Sequence, residues 1–248
     1  MQLTKKQIER YSRQIILKDI GPIGQEKLSN SRVLVVGAGG LGSPILMYLA
    51  GTGIGNLGIV DDDKVHISNL HRQVLFDTSN IKKSKSKIAF LKIKKINPNI
   101  NVNYFKTKLL KNNINKIAND FDILIDGSDN FKTKFLLNDY CIKNKKILIV
   151  GAINKFDGQI LTFNFRKKNS PCLRCFYQSI PSDELLNCES DGVIGPIAGI
   201  IGSIQANEAI KEILKIGKSL CGYILIINTL NLDFRKIKLN KREKCICN

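Results

Sequence analysis

The chain is predicted to be an α/β protein. Its sheet is expected to be open and doubly wound, parallel through the first half and antiparallel in the C-terminal strands. Three observations support this. Short, nearly continuous apolar segments alternate with helix-period segments from residue 32 to 152, the pattern of parallel strands covered on both faces. A glycine-rich turn stands between the first strand and the first helix of that series. From residue 157 the pattern becomes apolar–polar alternation, which marks strands with one solvated face.

Taken in order, the chain opens on a helical arm, residues 1–30. Its pattern is TKKQIERYSRQIILKDI, ended by Gly21-Pro22 because that dipeptide breaks a helix. The strand candidates of the parallel half are RVLVVG (32–37), NLGIVD (56–61), INVNYF (100–105), FDILIDG (121–127) and KILIVGA (146–152). Helices are expected at 41–52, at 84–96 and at 130–144. Ile88, Ala89, Leu91 and Ile96 make the face of the second, and Phe131, Phe135, Leu136 and Tyr140 that of the third. Antiparallel strands are expected in DGQILTFNF (157–165), GYILIINTL and NLDFRKIKL, with a long helix near 196–216. Neither an internal repeat nor a flexible linker is visible, so residues 1–248 read as one domain with a nucleotide-binding half at 31–152 and a second half at 153–248.

Composition narrows the class. With 248 residues, 43% of them hydrophobic, the chain can bury one large core. MQLTKKQIERY is too polar for a leader peptide. The longest apolar stretch, VIGPIAGIIGSI, is shorter than the ~18 residues of a spanning helix. A cytoplasmic protein without a membrane partner is expected. The formal charge of +18 raises a nucleic-acid reading. The lysines are spread along the chain, however, and KKSKSK (82–87) carries no interleaved aromatic. A solvated basic surface that attracts an acidic partner or a polyphosphate is the reading adopted.

Gly37, Gly39 and Gly42 form GxGxxG between a strand and a helix. Such glycines permit a tight turn and let phosphate oxygens approach backbone N–H groups. Asp61 closes the next strand, where an acid can accept hydrogen bonds from ribose hydroxyls. By itself this signature defaults to NAD or FAD.

The following segment, DDDKVHISNLHRQVLF (61–76), points elsewhere. It places Asn69, Arg72 and Gln73 beside the nucleotide loop, with Lys85 beyond. Hydride transfer needs no such cations. Attack on an α-phosphate does, because charge builds on the phosphoryl oxygens. Asp129, in DGSDN, is either a Mg²⁺ ligand or the N-cap of the helix that follows.

These motifs, with RYSRQIIL (10–17), GQEKL, PCLRCF and GVIGPIAGIIGSIQANEAIKEIL (192–214), resemble the ThiF/MoeB adenylyltransferases, relatives of the ubiquitin-activating enzymes. The resemblance runs over nearly the whole chain and is nearer to the thiamin branch than to the molybdopterin branch. It implies a Rossmann-like, ubiquitin-activating-enzyme-like fold. It also implies that the C-terminal Gly-Gly carboxylate of a ubiquitin-like sulfur carrier attacks ATP, giving an acyl adenylate and pyrophosphate before sulfur transfer from a donor protein. The nucleotide set it implies is Gly37, Gly39, Gly40, Gly42, Asp61, Asp63, Ser68, Asn69, Leu70, His71, Arg72, Gln73, Lys85, Asp129 and Asn130. Within that set Asp61 binds the ribose, Asn69 and Arg72 contact the phosphates, Lys85 stabilises the transferring charge and Asp129 holds Mg²⁺. Arg13 acts in the neighbouring subunit of a homodimer, and Ser84 replaces the proline that precedes the family's lysine. Neither His66 nor His71 is given a catalytic part, since an ionised carboxylate needs no base.

Seven cysteines suggest thiol or metal chemistry rather than a disulfide scaffold. CLRC (172–175) has the spacing of a zinc half-site. The resemblance implies completion by a C-terminal pair, here Cys245 and Cys247 with only one residue between them. On an extended tail these thiols point to opposite sides, so the tail must bend to give a zinc site. A vestigial or three-thiolate site is the alternative. Cys188, in LLNCESDG, matches the family cysteine that can form an acyl disulfide with the carrier, and Cys141 and Cys221 read as core residues. Two other functions stay open at this point: an NAD-dependent oxidoreductase, and a non-catalytic scaffold for a ubiquitin-like partner.

Overall fold

A computed structural model describes residues 3–177, 179, 181 and 192–247. Helix α1 spans Lys5–Ile15 and starts from a capping box in which Thr4 and Gln7 satisfy each other's backbone N–H groups. The arm does not run unbroken to Gly21. It ends at Ile15, and Gly21, at φ +58°, opens a second helix, α2 (Gly21–Ser29). Pro22 sits in the first turn of α2, where its missing N–H costs nothing, so the dipeptide read as a stop is a start.

The remaining elements are β1 (Arg32–Val36), α3 (Gly42–Thr52), β2 (Asn56–Val60), α4 (Lys85–Ile96), β3 (Asn101–Phe105), α5 (Ile114–Ala118), β4 (Ile123–Asp126), α6 (Phe131–Lys143), β5 (Ile147–Asn154), β6 (Asp157–Asn164), α7 (Leu173–Phe176), α8 (Gly195–Leu214), β7 (Tyr223–Asn228) and β8 (Asp233–Lys238). They build one eight-stranded sheet in the order β3-β2-β1-β4-β5-β6-β7-β8. Pairing is parallel from β3 to β5 and antiparallel from β5 to β8, as expected. Short α5 is an addition to the expected elements.

Alternation along β1 divides the core. Val33 and Val35 face one layer with Ile45, Leu49, Ile93 and Ile201, whereas Leu34 and Val36 face the other with Phe131, Phe135 and Phe163. Each fully buried side chain of this kind contributes roughly 1.5–3 kcal/mol. Strand β8 is exposed throughout, because it is the edge of the sheet. The apolar stretch at 193–204 lies mainly in α8, which packs on α3, β5 and β6. Among the described residues no helix is long and apolar enough to cross a membrane.

Register places the site. The ladder joining Val36 to Val60 and to Asp126 brings the carboxyl ends of β1, β2 and β4 level. The Gly37 N–H then donates to Val60 O and the Gly127 N–H to Val36 O, each at 2.8 Å. Loops leaving three strands therefore meet at one edge, where open α/β sheets bind ligands.

Candidate active site

The glycine loop forms the first wall. Gly37 has φ +92°, and a Cβ there would lie 2.7 Å from Gly127 O. A Cβ on Gly42 would lie 2.0 Å from Gly37 O, so that glycine lets the first turn of α3 close over the loop. The loop that leads into α3, with Leu41 as its N-cap, thus borders a pocket of about 360 Å³.

The pocket is lined by Gly37, Gly39, Gly40, Asp61, Asp63, Arg72, Gln73, Lys85, Asp129 and Asn130. Gly42, Ser68, Asn69, Leu70 and His71 are not in its lining. Gly42 is the first residue of α3. Asn69 instead accepts the His66 N–H and closes a short 3₁₀ turn, and Ser68 accepts a 3.1 Å hydrogen bond from Arg72 Nη1. Arg13 is exposed on α1, also outside this lining. Cys188 falls outside the described residues.

Asp61 is fixed from two sides. Its carboxylate accepts the N–H of Ala38 and that of Asp63, each at 2.8 Å. Burial pushes its carboxyl up to about 6, against the pull of the Ala38 N–H and of Lys85. Two oxygens leave lone pairs to spare for a ligand hydroxyl. Gln73, 4% exposed, sits under the loop, and its buried Oε1 has no partner among the described residues. An orphaned acceptor in a pocket wall suits a hydroxyl-bearing ligand.

Two cations border the pocket. Lys85, the first residue of α4, is buried and bonds Asp63 at 3.1 Å. Ser84 N-caps α4 at φ −61°, and Lys64 and Ser84 pair as an isolated antiparallel bridge. That φ is the value proline enforces, so serine keeps the same backbone course here, and its hydroxyl accepts the Lys87 N–H. Arg72 packs its stem against Gly40.

Asp129 turns out not to be the cap of α6. Asn130 is, accepting the Thr133 N–H at 2.9 Å. Asp129 remains exposed at the rim, where its Oδ1 accepts a 3.4 Å contact from Asn130 Nδ2.

Sequence reading missed Thr107, Lys108 and Leu109, which follow β3 and line the same pocket. It also missed Lys134. This lysine is 2% exposed and donates to Asp126 Oδ2, Ser128 O and Gly151 O at 2.7, 2.8 and 2.7 Å. All three of its protons are used, which ties the Gly127–Asp129 loop to the sheet. The available signal was a lysine between Phe131 and Phe135 on an apolar helix face.

Apart from the pocket, the four expected thiols are together. Cys172, Cys175, Cys245 and Cys247 place their sulfurs within 4.8 Å of one another. The Cys172–Cys245 and Cys175–Cys247 separations are 3.4 and 3.6 Å. A tetrahedral metal with ~2.3 Å bonds to sulfur requires separations near 3.8 Å, so the donor set fits. The tail reaches this geometry by turning at 243–247, which leaves Ile246 outside. Leu173 and Arg174 clamp the knot to α6 through Asn138 and Asp139. Of the other cysteines, Cys141 is a core residue whose thiol burial pushes up, whereas Cys221 is only half-buried.

The ThiF family model matches residues 11–247. A sulfur carrier protein adenylyltransferase of Thermus thermophilus is 39% identical over 99% of this chain and 92% of its own length. A probable molybdopterin-synthase adenylyltransferase of Porphyra purpurea is 46% identical over 93% of this chain and 60% of its own. An adenylyltransferase and sulfurtransferase MOCS3 of Drosophila virilis is 43% identical over 98% and 54%. The chain thus spans little more than half of those two relatives. A crystal structure of E. coli MccB with ATP has a TM-score of 0.83 at 22% identity, covering 96% of this chain and 74% of that one, and shares the fold. These likenesses bear out the expectation of a nucleotidyltransferase and leave no support for an NAD-dependent oxidoreductase. The chain belongs to the ThiF family.

Proposed function

We propose that the chain adenylylates the C-terminal Gly-Gly carboxylate of a ubiquitin-like sulfur carrier, with the thiazole-sulfur carrier of thiamin synthesis as its substrate. The observation that carries this is the pairing of Arg72 and Lys85 with the glycine loop in one pocket. ATP lies with its phosphates on the glycine loop that leads into α3 and its ribose against Asp61 and Gln73. The carrier carboxylate, already ionised, attacks the α-phosphorus, the bond to the β-phosphate oxygen breaks, and pyrophosphate leaves. Arg72 and Lys85 stabilise the charge on the transferring group. Asp129 holds the magnesium, which neutralises phosphate charge when bound. An exposed carboxylate with spare oxygens beside the phosphate loop suits an ion that takes one or two carboxylates plus phosphate. Zinc in the four-thiolate knot fixes the C-terminal tail against α6. The terminal sulfur of a donor-protein persulfide then attacks the acyl carbon and expels AMP, and the Cys188 thiol can exchange into the resulting acyl disulfide, releasing the donor thiol and holding the carrier.

Arg13 acts on a second copy of the chain. Its arm attaches at the far ends of α3 and α4, whose first turns hold the nucleotide. Eleven residues of α3 span about 16 Å, well beyond an arginine's reach. The role therefore requires a dimer.

A molybdopterin-synthase carrier is the second reading, favoured by the name of the Porphyra purpurea relative. Carrier-dependent exchange of pyrophosphate into ATP, run with each carrier, tests both. Exchange that Arg72→Ala and Lys85→Ala leave intact would remove the proposed site.

A further inference from the structure

The arm is fastened by polar contacts to the spent ends of the two nucleotide-binding helices. Tyr11 is the buried residue of α1, 3% exposed. Its hydroxyl accepts a 2.8 Å hydrogen bond from Nδ2 of Asn97, which is fully buried and also donates to Ala50 O at 2.8 Å. Gln14 donates to Thr52 O at 2.8 Å and to Gln25. The Arg10 guanidinium donates to Ile96 O at 2.9 Å. Ala50 and Thr52 lie in the last turn of α3, and Ile96 is the last residue of α4. Thr52 O and Ile96 O have no backbone partner among the described residues, Ala50 O also accepts the Gly53 N–H at 3.1 Å, and all three lie at the negative end of a helix dipole. Donors on the arm and beside it supply both needs. Gly53 makes room for the tyrosine: a Cβ there would lie 2.5 Å from Cζ of the Tyr11 ring.

We infer that Tyr11 and Asn97 are positioning residues for the adenylyl transfer that the neighbouring copy performs. This rests on the reading of Arg13 as an arginine that works in a second subunit. Arg13 lies between Tyr11 and Gln14 in the helix and is itself exposed. Its direction is therefore set by its two anchored neighbours rather than by contacts of its own. Each of α3 and α4 starts at this chain's phosphate site and ends at the arm that serves the other site.

The test is a double-mutant cycle on carrier-dependent pyrophosphate exchange, using Tyr11→Phe, Arg13→Ala and the pair. Tyr11→Phe is expected to lower kcat about tenfold with the KM for ATP unchanged, since the ATP contacts are intact. Adding Arg13→Ala is expected to bring the rate only to that of Arg13→Ala alone. Backbone hydrogen exchange within 5–15 is expected to quicken in Tyr11→Phe while that within 42–52 does not. Arg10→Gln, at an exposed position, is expected to give a smaller loss of the same kind if the buried change prevents folding. Wild-type kcat in both anchor variants, or losses that multiply in the pair, would overturn the inference. Loss of nothing in Arg13→Ala itself would instead remove the underlying reading of the arginine.

Discussion

At the scale of single residues, the site depends on groups whose charge the fold has already oriented. Lys85 enters α4 at its first position and is held by Asp63, so in the proposed reaction its ammonium is already in place beside the pocket. Lys85→Ala and Arg72→Ala are each expected to slow exchange by roughly 10²–10³ with little change in fold, measured against thermal midpoints. Asp61 gives a pH signature. With its carboxyl pushed up to about 6, the free protein holds a proton there at lower pH. A ribose contact made by the carboxylate must expel that proton, so AMP affinity is expected to weaken about tenfold per unit below pH 6. The ratio of wild-type to Asp61→Asn affinities isolates the effect, because titration of the ligand cancels. A flat ratio from pH 5 to 8 would contradict it. The folding effect has the opposite sense: an acid raised by burial costs stability above its folded pKa and is relieved as pH falls.

At the scale of elements, strands and helices of the parallel half were legible because burial on two faces leaves nearly unbroken apolar runs. The arm's break was not, since Gly-Pro signals either a stop or a start and only the position of the next core residue, Leu28, decides. Lys134 was hidden for a related reason. Its partners, Asp126, Ser128 and Gly151, come from separate segments that only the sheet brings level. Removing it strands the Asp126 charge in the core. Lys134→Met is therefore expected to cost about 3–5 kcal/mol in denaturant unfolding, against near-neutrality for Lys132→Met on the exposed face of the same helix. The CxC pair was legible as residues but not as geometry, because the turn at 243–247 is what brings both thiols inward. One equivalent of zinc per chain is expected by elemental analysis. Cys245→Ser is expected to lose it and to lower the thermal midpoint by roughly 5 °C, about 2 kcal/mol for a chain of this size. Full zinc in that variant would contradict the four-thiolate reading.

At the scale of the whole molecule, the sheet brings together what the sequence scatters: a loop at 37–42, acids at 61–63, a lysine at 85 and a carboxylate at 129 share one edge. The loop and Asp61 followed from the glycine motif, whereas Lys85 and Asp129 were marked mainly by the family resemblance. The proposed division of work between two copies came only from the family resemblance, and it now rests also on how far α3 holds the arm of Arg13 from the pocket of the same chain. Mixed dimers of Arg13→Ala with Lys85→Ala are expected to recover about a quarter of wild-type activity, one intact site in half of the dimers. No recovery on mixing would refute action across subunits. With a net charge of +18, the surface also favours acidic partners. Carrier association is accordingly expected to slow as salt rises from 50 to about 200 mM, as stopped-flow would record.

The most direct test of the central claim is the intact mass of the carrier after incubation with this protein, ATP and magnesium. The expected product is carrier heavier by one AMP less water, formed with an equivalent of pyrophosphate and lost in Arg72→Ala. ATP consumed to ADP and phosphate, with the carrier mass unchanged, would contradict it.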